Sequence, residues 1–507
     1  MARRVCTAVR RVEVDRFKRR YDRERGCYVY DIRFKTVAPL TDRTVKVAEA
    51  FGLGVDEGRE HVVYEDFELR LTDRDVVYIT GESGSGKSAL LRELRKDLGE
   101  QAIDLAEVQV EHGRPIVETV GRTFEEGLEI LSRVGLNDAY VWLRPYEELS
   151  DGQKYRYRLA KLIESGRQYW IADEFCSTLD RDTAKVVAYN FQKAARRMGR
   201  AVIVATCHTD LFEDLHPSVY IRKGWGREVE VKYYPNEPAP MCTLMREIGV
   251  EEGSMRDWLE LSDLHYRGSK RMMVKRVYRA VRGGRTVGVI VYSPPPQQAF
   301  GRRRFLRSLG VEVAKLSKEY LRWLNRNVVR ISRVVVHPKY RGIGLGARLV
   351  RETMPLVGYP IVETVAVMAR YNPFFERAGM VKVAERRPDR SVLKAVEELR
   401  RYGFNPVEMA SEKANYERLS KMGGKEVEEI TEILCGLASG YGHALSTLST
   451  SAFEKPRSKT LRKWLQRDLH NLAHALARLQ QLTNITVYLA WRNPELPLEP
   501  FKEAGSS

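Results

Sequence analysis

One stretch constrains this 507-residue chain more than any other: Val76-Val-Tyr-Ile-Thr80 running into Gly81-Glu-Ser83-Gly84-Ser85-Gly86-Lys87-Ser88. A short apolar β-forming run is followed by a glycine-rich turn. From Ala89 onward, apolar residues recur at helical spacing. The run reads as a buried strand, and from about residue 60 to 235 the pattern is strand, glycine loop, helix, strand, helix, strand, which makes the fold class α/β. The glycines let successive backbone N–H groups turn inward around an anion, and the helix N-terminus adds its dipole. Lys87 is placed to reach the β- and γ-phosphates of a nucleotide, and the Ser88 hydroxyl to ligate Mg²⁺. Gly81, Ser83, Gly84, Ser85, Gly86, Lys87, Ser88 and Ala89 are the candidate ATP-binding residues, with Ser88 also a candidate metal ligand.

A second apolar strand, Tyr169-Trp-Ile-Ala, ends in Asp173-Glu174. Carboxylates at the tip of a buried strand suit Mg²⁺ coordination by Asp173 and activation of water by Glu174. Leu149-Ser150-Asp-Gly152-Gln153 precedes this strand, Ser177-Thr-Leu-Asp180 follows it, and His208 ends the next strand. This set, in this order, resembles the ABC-type ATPases over residues 60–235. The resemblance implies two nucleotide domains sandwiching two ATPs head to tail, hence a homodimer. Ser150, Gly152 and Gln153 would serve the γ-phosphate of the partner copy, His208 would sense it, and Asp180 would couple the two sites. Gln109 or Glu118 would tip a further loop, and Phe51 or Tyr64 would stack adenine.

Another anion cradle follows. The strand Asn327-Val-Val-Arg-Ile-Ser332-Arg-Val-Val335-Val336 leads through His337-Pro-Lys-Tyr-Arg341-Gly342-Ile343-Gly344-Leu345-Gly346 into a helix. Backbone N–H groups and a helix N-terminus would again meet a pyrophosphate. Asn372-Pro-Phe-Phe375-Glu-Arg-Ala-Gly379 lies downstream. The two motifs together resemble the GNAT acyltransferases over residues 245–395. That resemblance implies acetyl-CoA, or another acyl-CoA, held by Val335, Val336, Arg341, Gly342, Ile343, Gly344, Leu345, Gly346, Asn372 and Phe375. Many family members carry a tyrosine at the Phe375 position as general acid; phenylalanine donates no proton. Chemistry would then rest mainly on positioning.

For the acyl acceptor, the chain offers His265-Tyr266, a basic run through Lys270, Arg271, Lys275, Arg276, Arg279, Arg282 and Arg285, and Gly288-Val-Ile-Val-Tyr292-Ser-Pro. This wording resembles the phage Mom-type enzymes, GNAT relatives that modify a nucleobase. The cations offer a phosphate-contacting surface and Tyr266, Tyr278 and Tyr292 offer stacking; the alternative is a solvated face and core packing. Glu363 and Tyr371 complete the candidate acceptor site.

Charge and composition agree with an anionic partner. The net charge is +18, with 30% charged and 43% hydrophobic residues. That excludes disorder over most of the length and favours nucleic acid, nucleotide or CoA. No apolar run approaches the ~20 residues of a membrane span, and no signal-peptide core opens the chain, so the expected location is cytoplasmic. Six scattered cysteines form neither a zinc nor a disulfide pattern. The expected domains are a basic β-rich segment 1–50, an ABC-type ATPase 51–235, a Pro-rich linker 236–244, a GNAT domain 245–395 and a helical region 396–507 with a frayed tail. In that last region Arg457, Lys459, Arg462, Lys463 and Arg467 are candidate phosphate contacts. The whole arrangement resembles a family of ABC-type ATPases fused to a predicted acetyltransferase domain. The expected activity is ATP hydrolysis coupled to acyl transfer onto a nucleic-acid base, RNA slightly ahead of DNA. The alternatives are an ATP-gated ribosome- or DNA-binding factor, and a protein N-acetyltransferase.

Overall fold

The computed structural model describes residues 20–22, 24, 26–36, 40–54, 59–264, 273–313, 316–367, 369, 372–446 and 458–501. The chain divides into two compact units: Met1–Met272 with Arg276–Val291 and Arg333–Leu349, and Met273–Lys275 with Tyr292–Ser332 and Val350–Ser507.

In the first unit, alternating residues build a small antiparallel sheet from β1 (Arg20–Asp22), β2 (Cys27–Thr36) and β3 (Arg59–Leu69). Its inward residues Tyr30, Ile32, Tyr64 and Phe67 share a core with Val77, Ile79, Leu90, Leu91 and Leu94. The main sheet comprises β4 (Val76–Gly81), β5 (Ala102–Asp104), β6 (Tyr169–Ala172), β7 (Ala201–Thr206), β8 (Val219–Lys223) and β9 (Val229–Tyr233), in the order β5-β6-β7-β4-β8-β9. All its pairs are parallel except β8 with β9. β4 is central and buried, as its unbroken apolar run requires. In such sheets, ligands gather at the carboxyl ends of the strands. The other face packs helices Phe124–Arg133, Asp151–Glu164 and Arg181–Met198 around Trp170, Phe175 and Phe191.

The proline-rich segment after β9 is pinned rather than loose. Thr243 donates from its backbone N–H (2.8 Å) and its hydroxyl (2.7 Å) to the Asp214 carboxylate, and Cys242 is buried. Then come β10 (Gly249–Glu252), β11 (Arg276–Arg282) and the start of β12 (Arg285–Ser293). Gly283 and Gly284, at φ +55° and +76°, make the two-residue turn between β11 and β12.

In the second unit, β13 (Val328–Val336) pairs in parallel with β14 (Ile361–Ala366) through Val328 and Ile361. β15 (Val381–Arg386) does not join β14. β16 (Thr486–Arg492) enters between them, antiparallel to both. The 396–507 region is therefore helical only through Leu482 and closes with a strand. The alternation in Thr-Val-Tyr-Leu-Ala-Trp-Arg is the local reason. The tail stretch 494–500 is anchored rather than frayed. Trp323 Nε1 donates to the Glu499 carbonyl (2.8 Å), the Glu499 N–H donates to Asn327 Oδ1 (3.1 Å), and Phe501 packs on Tyr320 and Trp323. The preceding helices form their own core around Leu399, Phe404, Ile430, Leu461 and Leu472.

Under β16 lies a buried ion pair. Arg302 donates to both oxygens of Glu363 (2.8 and 2.6 Å), and the Tyr488 hydroxyl donates to the same carboxylate (2.8 Å). Arg302 and Glu363 are 2% and 1% exposed, so removing one partner leaves an uncompensated charge. Arg302→Met is expected to cost about 3–5 kcal/mol, read as a lower denaturant midpoint in equilibrium unfolding.

Candidate functional site

At the end of β4, Gly81, Gly84 and Gly86 take φ of +154°, +79° and +108°. The last two stand in a region that side chains rarely adopt. A Cβ on Gly86 would collide with Val63, and one on Gly81 with the Lys223 carbonyl. Glycine is required here both by conformation and by space. Lys87 opens helix Lys87–Leu98 and is buried; its ammonium donates to the carbonyls of Gly81 (2.8 Å) and Glu82 (2.7 Å). Ser85 is buried and its hydroxyl has no protein partner. That orphan, beside left-handed glycines and a lysine, fits a phosphate group. Ser83 and Gly84 are exposed on the loop, Ser88 is exposed in the first turn of the helix, and Ala89 beside it is buried.

Asp173 follows β6, and its Oδ1 accepts the Glu174 N–H (2.9 Å). Glu174 is exposed and sits at φ +48°, and Cys176 at φ +58°. Two non-glycine residues in the left-handed region mark a loop held under strain. Partners hold it: the Phe175 N–H donates to the Ala205 carbonyl (2.8 Å) and the Cys176 N–H to the Tyr155 hydroxyl (2.9 Å). His208 follows β7, and its carbonyl accepts from the Tyr78 hydroxyl. Asp173, Glu174 and His208 thus emerge at the strand ends that also carry the glycine loop.

Ser150 caps helix Asp151–Glu164 reciprocally with Gln153, by bonds of 3.0 and 3.4 Å. Gly152 packs against Leu179. Asp180 caps helix Arg181–Met198 through the N–H (3.2 Å) and hydroxyl (2.6 Å) of Thr183. It also pairs with Lys339 at 2.6 Å. Burial opposes the charge on Asp180, but Lys339 and Thr183 outweigh it and hold the carboxyl below the usual carboxylate range. Gln109 and Glu118 are both exposed.

Tyr64 is fully buried, with its hydroxyl 3.4 Å from the Gly86 carbonyl, and burial raises its pKa. It offers no face to a nucleobase. Phe51 is exposed at the end of helix Asp42–Phe51. The sequence reading missed Trp225. In the β8–β9 turn, two residues after Lys223, which pairs with Gly81, its indole N–H donates to Glu82 Oε2 of the glycine loop (2.6 Å). The ring is 63% exposed. An aromatic between two glycines after a strand was the available signal.

The second cradle begins where β13 ends. Val335, Ile343 and Leu345 are buried, while Gly342 and Gly344 are exposed at φ +90° and +98°. The apolar residues anchor the turn and the glycines present backbone. A Cβ on Gly344 would meet open space. Gly346 lies in the first turn of helix Leu345–Leu356. Left-handed glycines at an open helix N-terminus fit the diphosphate of CoA. Arg341 does not point outward: it donates to the Val336 carbonyl (2.8 Å) and to the Asn137 carbonyl. In the second unit, Asn372 is exposed and Phe375 is buried against Phe374.

The acceptor candidates separate. His265, Tyr266 and Tyr371, with Lys270 and Arg271, lie outside the described residues. Tyr292 is fully buried and hydrogen-bonded to Thr353 (2.7 Å); Tyr278 is buried too. Neither presents a stacking face. Glu363 is the carboxylate held by Arg302 and Tyr488. Three cations of the basic run are engaged: Arg276 with Glu252, Arg279 with Glu251 and Asp257, and Arg282 with Asp182 and Glu247. Their partners are remote in sequence, so the run reads as unpaired on paper. On helix Ser458–Arg467, by contrast, Lys459, Lys463 and Arg467 form an exposed stripe. No ion pair among the described residues engages them.

Residues 243–357 match the acetyltransferase (GNAT) family. The cytochrome c biogenesis ATP-binding export protein CcmA of Pseudomonas fluorescens is 31% identical over 179 residues, spanning 29% of this chain and 83% of the relative. CcmA of Aliivibrio fischeri is 26% identical over 198 residues, spanning 32% and 94%. Among solved structures, cbiO1 from Clostridium perfringens, part of the ABC transporter complex cbiONQ, shares 18% identity with a TM-score of 0.28, covering 34% of this chain and 82% of its own. No helix among the described residues is long and apolar enough to cross a membrane.

Proposed function

The chain belongs to the ABC-type ATPases and carries a GNAT acetyltransferase domain, and from that premise we propose that it couples ATP hydrolysis to acyl transfer from acyl-CoA onto a nucleic acid. The observation that carries the coupling is the pair of anion cradles, at Gly81–Ser88 and Arg341–Gly346, in one chain. ATP supplies the energy of phosphoryl transfer and Mg²⁺ the charge neutralisation. Lys87, released from the Gly81 and Glu82 carbonyls, donates to the phosphates. Ser88 and Asp173 hold the metal, Glu174 orients the attacking water, and His208 contacts the terminal phosphate. Ser150, Gly152 and Gln153 act across a homodimer. Adenine stacking falls to Trp225. ATP binding is then expected to quench its fluorescence, and Trp225→Ala to lose the quench and weaken ATP binding about ten-fold, a stacking contribution of ~1–3 kcal/mol; Trp225→Phe keeps the affinity.

On the acyl side, the backbone N–H groups of Gly342–Gly346 hold the diphosphate. With Phe375 unable to donate a proton, rate comes from alignment of the thioester and the amine. The net charge of +18 and the Lys459–Lys463–Arg467 stripe support nucleic acid as the acceptor; RNA ranks ahead of DNA only by analogy with other ATPase–acetyltransferase fusions. Base contacts fall to His265, Tyr266 and Tyr371. The test uses full-length protein, Mg²⁺–ATP and acetyl-labelled acetyl-CoA with RNA, DNA and protein from the source cell. RNase- or DNase-sensitive label is expected. Protease-sensitive label would make it a protein N-acetyltransferase. The burial of Phe375 and the commitment of Glu363 to Arg302 favour a second reading, an ATP-gated ribosome- or DNA-binding factor with a CoA-binding but unreactive GNAT domain. Acetyl-CoA binding with no transfer to any polymer would select it.

A further inference from the structure

Within the first unit, the loop that leaves Glu174 ends on the cradle's own lysine. Lys339, two residues before Arg341, pairs with Asp180 (2.6 Å) and Asp182 (3.2 Å). Arg282 of β11 pairs with Asp182 (2.6 Å) and donates to the hydroxyl of Tyr340 (3.1 Å). Further along helix Arg181–Met198, Asn190 is 7% exposed and its side-chain N–H₂ has no hydrogen-bond partner. A Cβ on Gly342 would fall 2.7 Å from that nitrogen, so the cradle backbone lies directly on it. Arg341 bonds to the Asn137 carbonyl and approaches Asp138 (3.8 Å), the N-cap of helix Ala139–Trp142.

We propose that Asp180, Asp182 and Asn190 of the ATPase are positioning residues of the acyl-CoA cradle, so that nucleotide binding raises the affinity for acyl-CoA. This rests on the functional reading above. The element that moves is the strained segment from Glu174 to Asp180. Engagement of Asp173 and Glu174 by Mg²⁺–nucleotide shifts it and draws Asp180 away from Lys339. The lysine then has one carboxylate partner rather than two, beside a site built for a diphosphate. Linkage makes the effect reciprocal: acyl-CoA tightens nucleotide binding by the same factor.

Calorimetric titration of the full chain with acetyl-CoA, with and without Mg²⁺–AMP-PNP, tests this. The nucleotide is expected to lower the acetyl-CoA Kd about five-fold or more. Lys339→Gln is expected to give one Kd in both conditions while still binding AMP-PNP, which shows that it folds. Lys339→Arg is expected to restore the difference. An acetyl-CoA Kd unchanged or weakened by bound nucleotide in the wild type overturns the proposal and leaves the acyltransferase reading standing. Failure of acetyl-CoA to bind in either condition removes that reading, and the coupling with it.

Discussion

Glu174→Gln is expected to bind ATP normally and to hydrolyse it about 10²–10⁴-fold more slowly, the range of a lost general base. Glutamine keeps the shape of the side chain, so the strained backbone at φ +48° and the Phe175 and Cys176 hydrogen bonds are retained. What is lost is the carboxylate that we propose orients water. Phosphate release measures the rate and equilibrium dialysis the affinity. Because hydrolysis would end the sandwich, the variant is also expected to run as a dimer with ATP and a monomer without it, read by light scattering. A variant that hydrolyses at the wild-type rate would remove Glu174 from the chemistry.

Gly344→Glu carries the next largest effect. At φ +98° any side chain is strained by ~1–3 kcal/mol, and a carboxylate there would face the diphosphate that we propose the backbone holds. Acetyl-CoA affinity is expected to fall about 100-fold or more, from strain and like-charge repulsion together. A Cβ at this position meets nothing within 4 Å, so the substitution does not obstruct packing. Retained ATPase activity is the control for folding. Unchanged acetyl-CoA affinity would place the acyl donor elsewhere.

Both predictions concern features legible in the sequence, and the reason is local. A strand, a glycine turn and a helix N-terminus are contiguous, and the proposed anion contacts would come from backbone N–H groups whose direction glycine spacing sets. The apolar run of Val76–Ile79 marked a buried strand, and β4 lies at the centre of its sheet. Capping of helix Asp151–Glu164 by Ser150 and Gln153 is equally local.

Side chains whose partners lie far along the chain were a different matter. Glu363 reads as an available base until Arg302, from a helix, and Tyr488, from the last strand, close on it. Tyr278 and Tyr292 read as stacking platforms, but both strands that carry them turn these rings into the core. The basic run loses Arg276, Arg279 and Arg282 to acids on other elements. β16 shows the same limit for the fold. Its alternation marks a strand, yet only pairing across a hundred residues decides that it separates β14 from β15.

The sequence by itself determined the α/β class, the two glycine cradles and the acids at the strand tips, because each is written in short-range backbone geometry. The tertiary structure alone decided which charges are spent inside the molecule, and that the Asp180–Asp182–Asn190 face of the ATPase carries the second cradle. Charge pairing and burial depend on distances through space, which spacing along the chain does not encode.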